Sequence, residues 1–371
     1  MTTSWTGEDV RRTDLTCASR VPALARIDRS ELASGRVYWD MWPVQGPDGR
    51  VATIAGRELW MALSAPERTD PSLRHFEAKI RFIERSDGQW FDRGDALGDM
   101  PVPYEREWAG SAMFDGQQLH LFFTGAGDRN VAGGYQQRLF ESHATIDADG
   151  MPTGWTDPAE SVKATGEYYM PADQHHGEAG KIKAFRDPSH FRDPADGAEY
   201  LVFTASLGGS TSDFNGAVGI ARRDGHGWRL LPPLLHADGV NNELERAHVV
   251  FRKGRYYLFW VTQKGTFAPD LRSAPTGLYG MVADTLFGEY RPLNGSGLVL
   301  ANPEGEASQT YSWFVSADFQ VSSFVDFWGL DGAAVPDVPE IAARHFGGVP
   351  APLLQLAVDG EKCGLADPTP E

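Results

Sequence analysis

Apolar and aromatic residues in this chain fall into short runs closed by glycine-containing turns, and the three-and-four spacing of a long helix is scarce. Three segments repeat the same figure: SAMFDGQQLHLFFTG at 111–125, SHFRDPADGAEYLVFTA at 189–205 and AHVVFRKGRYYLFWVT at 247–262. Each reads as a strand, a tight turn and a second, more aromatic strand, which is the signature of a β-hairpin. A fourth variant with a longer connection covers 42–64, and a fifth covers 311–328. Taken from Trp42, Ser111, Ser189, Ala247 and Tyr311, the units start 69, 78, 58 and 64 residues apart. That spacing suits four-stranded blades with generous loops, so the pattern predicts an all-β, five-bladed β-propeller. A β-sandwich is the alternative, but it gives no reason for a polar cluster at the head of every unit. The only helical candidates are 70–80 and 337–345. No low-complexity linker divides the chain, so residues 1–371 are expected to form a single domain, with blades over roughly 37–330 and the segments 1–30 and 331–371 packed around them.

Composition narrows the partners. The formal net charge is −17, which disfavours nucleic acid and anionic membranes and suits a neutral ligand. No stretch approaches 18 apolar residues, so no membrane span is expected. The first residues, MTTSWTGEDVRRTDL, contain no apolar core of a secretory signal. The chain as written reads as cytoplasmic, or as a mature or non-classically exported form. Cys17 and Cys363 lie near opposite ends and could close the chain end to end, although two free thiols are the simpler reading. No Cys/His spacing marks a metal, and His175-His176 has no supporting ligand nearby.

The clusters that precede the hairpins carry the chemistry. They are VYWDMWP (37–43), EWAGSA (107–112), FRDP (185–188) and NELERAH (242–248). In a propeller the first strand of each blade lines the central axis, so these clusters would meet at one end of the channel. Acids gathered from distant parts of the chain suit glycoside chemistry, in which one carboxylate attacks and a second carboxyl donates and recovers a proton. Asp40 stands between Trp39 and Trp42 on an otherwise apolar strand, where a carboxylate is costly without a purpose or a partner. The bland reading is a structural acid bonded to backbone amides. Glu243 and Glu245 share a face of a strand, where like charges raise one another's pKa; Leu244 and Arg246 face away unless a bulge turns Arg246 back. Asp187 is held by Pro188. A second Arg-Asp-Pro at 192–194 falls in a hairpin turn and reads as turn chemistry. Asn294-Gly295-Ser296 matches a glycosylation sequon and is more simply a turn. No phosphate-binding glycine loop or nucleophile elbow is present.

These residues together resemble the levansucrase, inulosucrase and bacterial β-fructofuranosidase family (glycoside hydrolase family 68). The matching motifs occur in family order: VYWDMWPVQGPDG at 37–49, EWAGSAMFDG at 107–116, FRDPSHF at 185–191, ELERAHVVF at 243–251, GLYGMVAD at 277–284, YRPLNGSGLVL at 290–300 and QTYSWFV at 309–315. The resemblance implies a propeller with a deep acidic central pocket, no cofactor, and a double displacement on sucrose that passes fructose to water or a sugar acceptor. By motif, Asp40 would be the nucleophile, Glu245 the acid/base and Asp187 the transition-state stabiliser. Trp39, Trp108, Ser111, Arg186, Glu243, Arg246, Gln263 and Tyr311 would shape the sugar subsites.

Three departures from the family pattern stand out. Ala109 replaces a serine whose hydroxyl normally bonds the nucleophile. Gln263 replaces a histidine or arginine linked to polymer elongation. Asn242 replaces the aspartate of calcium-binding members, so no calcium site of that kind is expected. The first two changes favour hydrolysis or short oligosaccharides over long polymer. The alternatives are a propeller glycosidase acting on another fructoside or an arabinoside, and a sugar-binding propeller without catalysis.

Overall fold

The run RYYLFWVT at Arg255–Thr262 shows why this chain is apolar in bursts. Tyr256, Leu258 and Trp260 pack into one hydrophobic cluster, while Tyr257, Phe259 and Val261 pack into the next. Successive side chains point to opposite faces of a strand, and here both faces are covered, so no polar alternation remains. A computed structural model describes residues 2–16, 19–25, 32–130, 134–174 and 182–366 of the chain.

Five blades are arranged in chain order. Their inner two strands are Arg36–Gln45 and Arg57–Pro66, Arg106–Phe114 and Gln118–Ala126, Phe185–Arg192 and Glu199–Ser206, Glu245–Arg252 and Arg255–Thr262, and Thr310–Val315 and Gln320–Phe327. Each pair is antiparallel, as the hairpin pattern predicts. Each innermost strand packs against the innermost strand of the next blade, and the fifth returns to the first, which closes a ring. Blades 1 and 2 are further joined by a short parallel pairing of Val44 with Ala112 and Gln45 with Met113. The core lies between blades: separate clusters fill the spaces between blades 1 and 2, 2 and 3, 3 and 4, and 4 and 5.

The termini correct the expected blade limits. Phe346–Pro350 and Leu354–Asp359 pair with Gln320–Phe327, and Lys362–Leu365 adds a further strand, so blade 5 runs well past 330. At the other end Thr3–Ser4 lies parallel to the outer strand Gly227–His236 of blade 3. The helical candidates become a 3₁₀ helix at Pro71–Phe76, capped by the Asp70 carboxylate, and an α-helix at Pro339–His345. Cys363 is a buried free thiol. Cys17, His175 and His176 lie outside the described residues. Asn294 sits in a turn with φ of 54° and bonds both the carbonyl and the N–H of Cys363. Among the described residues no helix is long and apolar enough to cross a membrane.

Candidate active site

The innermost strands are not regular. In every blade the pairing of the first strand with the second slips at one place: between Trp39 and Trp42, Trp108 and Gly110, Arg186 and Ser189, Glu245 and His248, and Tyr311 and Phe314. In four blades the extra residue adopts a left-handed backbone, at Asp40 (φ 46°), Asp187 (57°), Arg246 (51°) and Ser312 (60°). Such a conformation costs an L-residue on the order of 1–3 kcal/mol, and it persists only where the surroundings enforce it. A bulge bends the strand and re-aims the side chain. Here it turns an acid, an acid, an arginine and a serine toward the axis. Blade 2 achieves its bulge without a left-handed residue; a Cβ on Gly110 would lie 1.9 Å from the Phe122 carbonyl oxygen, so only glycine fits.

Two threonines hold these bulges. Thr124 Oγ1 accepts the Asp187 N–H at 2.8 Å and donates to the Ala109 carbonyl at 3.1 Å. Thr204 Oγ1 accepts the Arg246 N–H at 2.9 Å and donates to Asp187 Oδ2 at 3.0 Å. Both are fully buried and stand on the second strand of the preceding blade. Below them His248 donates from Nδ1 to the Arg246 carbonyl at 2.8 Å and accepts the Val315 N–H on Nε2 at 2.9 Å, which fixes its tautomer. Burial pushes this imidazole down to about 3, so it stays neutral.

The result is a cavity of about 810 Å³ at one end of the ring, lined by Asp40, Asp187, Glu243, Glu245, Arg186, Arg246 and Tyr311 among others. Arg186 Nη2 donates to Glu245 Oε1 at 2.8 Å and to Glu243 Oε2 at 3.0 Å, and its Nε lies 3.5 Å from Asp187 Oδ2. Tyr311 donates its hydroxyl to the other oxygen of Glu245. Arg246 donates to the Ser312 carbonyl and hydroxyl and to the Met41 carbonyl, at 2.7, 2.6 and 2.9 Å. The Ser312 hydroxyl, on blade 5, lies near enough to Asp40 to favour its carboxylate form. The opposite ends of the inner strands border a second cavity of about 660 Å³, which contains none of the three anticipated acids.

Burial dominates the electrostatics. It raises Asp40, against the pull of Arg246 and the Ser312 hydroxyl. It pushes Asp187 up to about 6, with Glu245 and Asp40 adding to the shift and Arg186 opposing it. Glu243 rises to about 7 for the same reason, helped by the like charge of Glu245 and opposed by Arg186. The pH dependence follows. The kcat/KM of a reaction that needs Asp187 as a carboxylate is expected to fall as pH drops below about 6. Stability moves the other way. The folded state holds the Asp187 proton more tightly than the unfolded chain, whose pKa is about 4, so this group's contribution declines as pH rises from about 4 to about 6. Asp187→Asn should accordingly raise Tm more at pH 7 than at pH 4.5. An equal change at both pH values, read by thermal scans, would overturn that assignment.

The remaining anticipated residues divide. Trp39 and Trp108 line the cavity; Trp39 is buried, and Trp108 donates its indole N–H to the His75 carbonyl at 3.0 Å. Gln263 lies exposed at the rim, where its side chain makes no hydrogen bond to the short helix it precedes. Ser111 is a correction. Its Oγ accepts the His190 N–H at 2.9 Å, so it ties blade 2 to blade 3, and it is absent from the cavity wall. Asp193, in the second Arg-Asp-Pro, accepts from the Tyr256 hydroxyl and the Ala195 N–H, as turn chemistry requires. Asn242 Oδ1 accepts from the Lys183 ammonium at 3.0 Å, and Asn215 Oδ1 and the Asp213 carbonyl converge on the same group.

Sequence reasoning missed Ser312, Thr124 and Thr204. The threonines left a signal, because LFFT and LVFT end two of the repeated hairpins at matching places, while Val261 holds that register in the next. Thr204→Val removes both the donor to Asp187 and the acceptor for the Arg246 N–H. It is expected to lower kcat about tenfold to a hundredfold and to cost about 1–3 kcal/mol of stability, with Thr204→Ser restoring most of both. Initial rates and denaturant midpoints on the three proteins check this; a valine variant with unaltered kcat would refute the threonine's part in positioning the acid.

Comparison with known proteins places the whole chain. Its sequence matches the model of the levansucrase/invertase family over residues 1–216 and 210–366. It is 30% identical to the levansucrase LscB of Pseudomonas savastanoi pv. glycinea over 409 residues, covering 97% of this chain and 90% of that protein. The structure resembles the inulosucrase from Halalkalicoccus jeotgali bound to kestose, with a TM-score of 0.89 and 37% identity over 98% of this chain and 95% of the other. It also resembles the full-length β-fructofuranosidase from Microbacterium saccharophilum K-1, with a TM-score of 0.83 and 25% identity over 99% and 83%.

Proposed function

The chain belongs to the levansucrase/invertase family, and from that premise we infer that it is a fructosyl-transferring glycosidase that cleaves sucrose through a covalent fructosyl-enzyme intermediate. One observation supports this reading above the others: Asp40, Asp187 and Glu245 come from blades 1, 3 and 4 and stand in one cavity, with Arg186 touching the last two. In the first half-reaction the Asp40 carboxylate attacks the anomeric carbon of the fructosyl unit. The bond to the glucosyl oxygen breaks, and that oxygen takes a proton from Glu245, so glucose leaves neutral. In the second half-reaction Glu245 removes a proton from water or a sugar hydroxyl. That oxygen displaces the Asp40 carboxylate from the anomeric carbon. Asp187 holds fructosyl hydroxyls and faces the positive charge that develops on the ring. Arg186 and Tyr311 grip the two oxygens of Glu245 and fix the direction from which its proton is delivered.

Water and sugar compete for one intermediate, and a tenfold preference between them needs only ~1.4 kcal/mol. Ala109 lacks the hydroxyl that the family pattern places on the nucleophile, and Gln263 stands where relatives often carry a histidine or arginine linked to polymer elongation; together these favour hydrolysis or short products. The test is to incubate the protein with sucrose and quantify free glucose and free fructose separately. Near-equal amounts report hydrolysis, and an excess of glucose reports transfer. A high-molecular-mass fructan as the main product would overturn the preference for short products. No release of glucose would overturn the assignment to sucrose.

A further inference from the structure

Three arginines line the cavity among the described residues, and two of them are committed. Arg186 serves three carboxylates, and Arg246 serves two carbonyls and a hydroxyl. Arg74, from the 3₁₀ helix between the second and third strands of blade 1, is different. Of its five N–H donors, only Nη1 is engaged, with the Pro71 carbonyl at 2.8 Å. Its Nε is sealed from solvent without a partner. Its nearest carboxylate is Asp326 in blade 5, with Nη2 to Oδ1 at 3.6 Å, beyond a good hydrogen bond. Asp326 makes no side-chain hydrogen bond at all; Oδ1 is sealed, and the exposed fifth of the side chain borders the cavity.

A structural ion pair in this protein looks otherwise. Arg81 grips both oxygens of Asp92 at 3.0–3.1 Å. Buried charged groups are ordinarily satisfied, because an unmet donor or acceptor forfeits its hydration without return. Arg74 is nevertheless held in place, with its guanidinium 4.6 Å from the Phe346 ring and 5.8 Å from the Trp39 ring. Asp326 is anchored through its N–H on the Gln309 carbonyl. The Arg74 guanidinium and the exposed side of the Asp326 carboxylate, away from its sealed Oδ1, present a donor and an acceptor side by side at the cavity, which match a group that accepts and donates at once, a sugar hydroxyl. Asp40 lies near enough to act electrostatically on both. The pair therefore borders the place where the fructosyl unit is carried on Asp40.

We propose that Arg74 and Asp326 are further specificity-determining residues that together read one hydroxyl of the fructosyl unit. This rests on the fructosyl reading above. Because that unit stays in place through both half-reactions, the pair sets kcat/KM and leaves the partition between water and sugar alone. The experiment compares the unaltered protein with Asp326→Asn, which keeps the shape, and Arg74→Lys, which keeps the charge. Substrates are sucrose and its analogues lacking single hydroxyls on the fructosyl ring. Both variants should lose about tenfold to a hundredfold in kcat/KM on sucrose with an unchanged ratio of free fructose to glucose. One deoxy analogue should cost the unaltered protein that same factor and cost the variants little further. Unchanged kcat/KM on sucrose, a changed product ratio, or the same additional loss on every analogue in variants and unaltered protein would overturn the proposal. A second measurement keeps both residues: thermal protection of Asp40→Ala by the same sugars. One deoxy analogue should protect about tenfold more weakly than sucrose, and equal protection by all of them would also refute it. No glucose release by the unaltered protein would sink the sucrose reading itself, whereas turnover with unaffected variants sinks only this inference.

Discussion

Asp40→Ala is expected to abolish glucose release from sucrose, by at least about four orders of magnitude, while the protein stays folded and still binds the sugar. The size follows from the role. An attacking carboxylate splits one difficult displacement into two easier ones, and no neighbour can take its place, because Asp187 and Glu245 are engaged by Thr204, Arg186 and Tyr311. The fold should tolerate the change. Asp40 adopts a left-handed backbone, which alanine finds no easier, but its carboxylate is buried and its pKa is raised, so ionising it opposes folding. Deleting it removes that opposition, and Tm should hold or rise, as is common where an active site stores strain. The checks are a glucose assay, a thermal scan and the loss of any trapped fructosyl adduct by mass spectrometry. Residual turnover above about one part in a hundred would remove Asp40 from the nucleophile's role.

Glu245→Ala is expected to lose about a thousandfold to ten-thousandfold on sucrose, the usual scale of general acid–base catalysis. The diagnostic lies in the leaving group. Glucose departs poorly without a proton, whereas fluoride from a fructosyl fluoride departs without help. The first half-reaction of the variant should therefore recover most of its rate on the fluoride, and release of the fructosyl group should become the slow step. Uniform loss on both substrates would mean that Glu245 only orients sugar or supports Arg186. Arg186 complicates a structural reading of this variant, because removing Glu245 frees one of its three carboxylate partners. A Glu245→Gln control keeps the shape and the hydrogen-bond reach while lacking a transferable proton, and should behave like the alanine variant on sucrose.

Much of the fold was legible because the chain states it twice. The hairpins at 111–125, 189–205 and 247–262 are marked by turn residues and by strands whose two faces are both buried, and both signals are local. The acids were legible for a related reason: Asp40 interrupts an apolar strand where a carboxylate has no packing role, and Asp187 stands beside Pro188 in a polar cluster at the head of a hairpin. Blade 5 was underestimated because Phe346–Pro350 and Leu354–Asp359 join Gln320–Phe327 across an intervening helix, so their pairing leaves no hairpin signal. Ser111 was misassigned because position in a motif says which strand a residue occupies and nothing about which face its hydroxyl meets.

The sequence by itself determined that this protein is a ring of β-hairpins, that polar clusters stand at the heads of the innermost strands, and which acids could act. Period, turn chemistry and the cost of an isolated charge are properties of a few neighbouring residues. Only the tertiary structure decided how those acids are aimed. The left-handed bulges at Asp40, Asp187, Arg246 and Ser312 run against the preference of every one of those residues and are held by partners far along the chain. Arg246 reaches the Met41 carbonyl, 205 residues away, and its N–H is held by Thr204. Arg74 and Asp326 become a pair only when blades 1 and 5 meet to close the ring. A backbone angle that costs free energy locally is set by the packing that repays it, and that packing exists only once the whole ring is assembled.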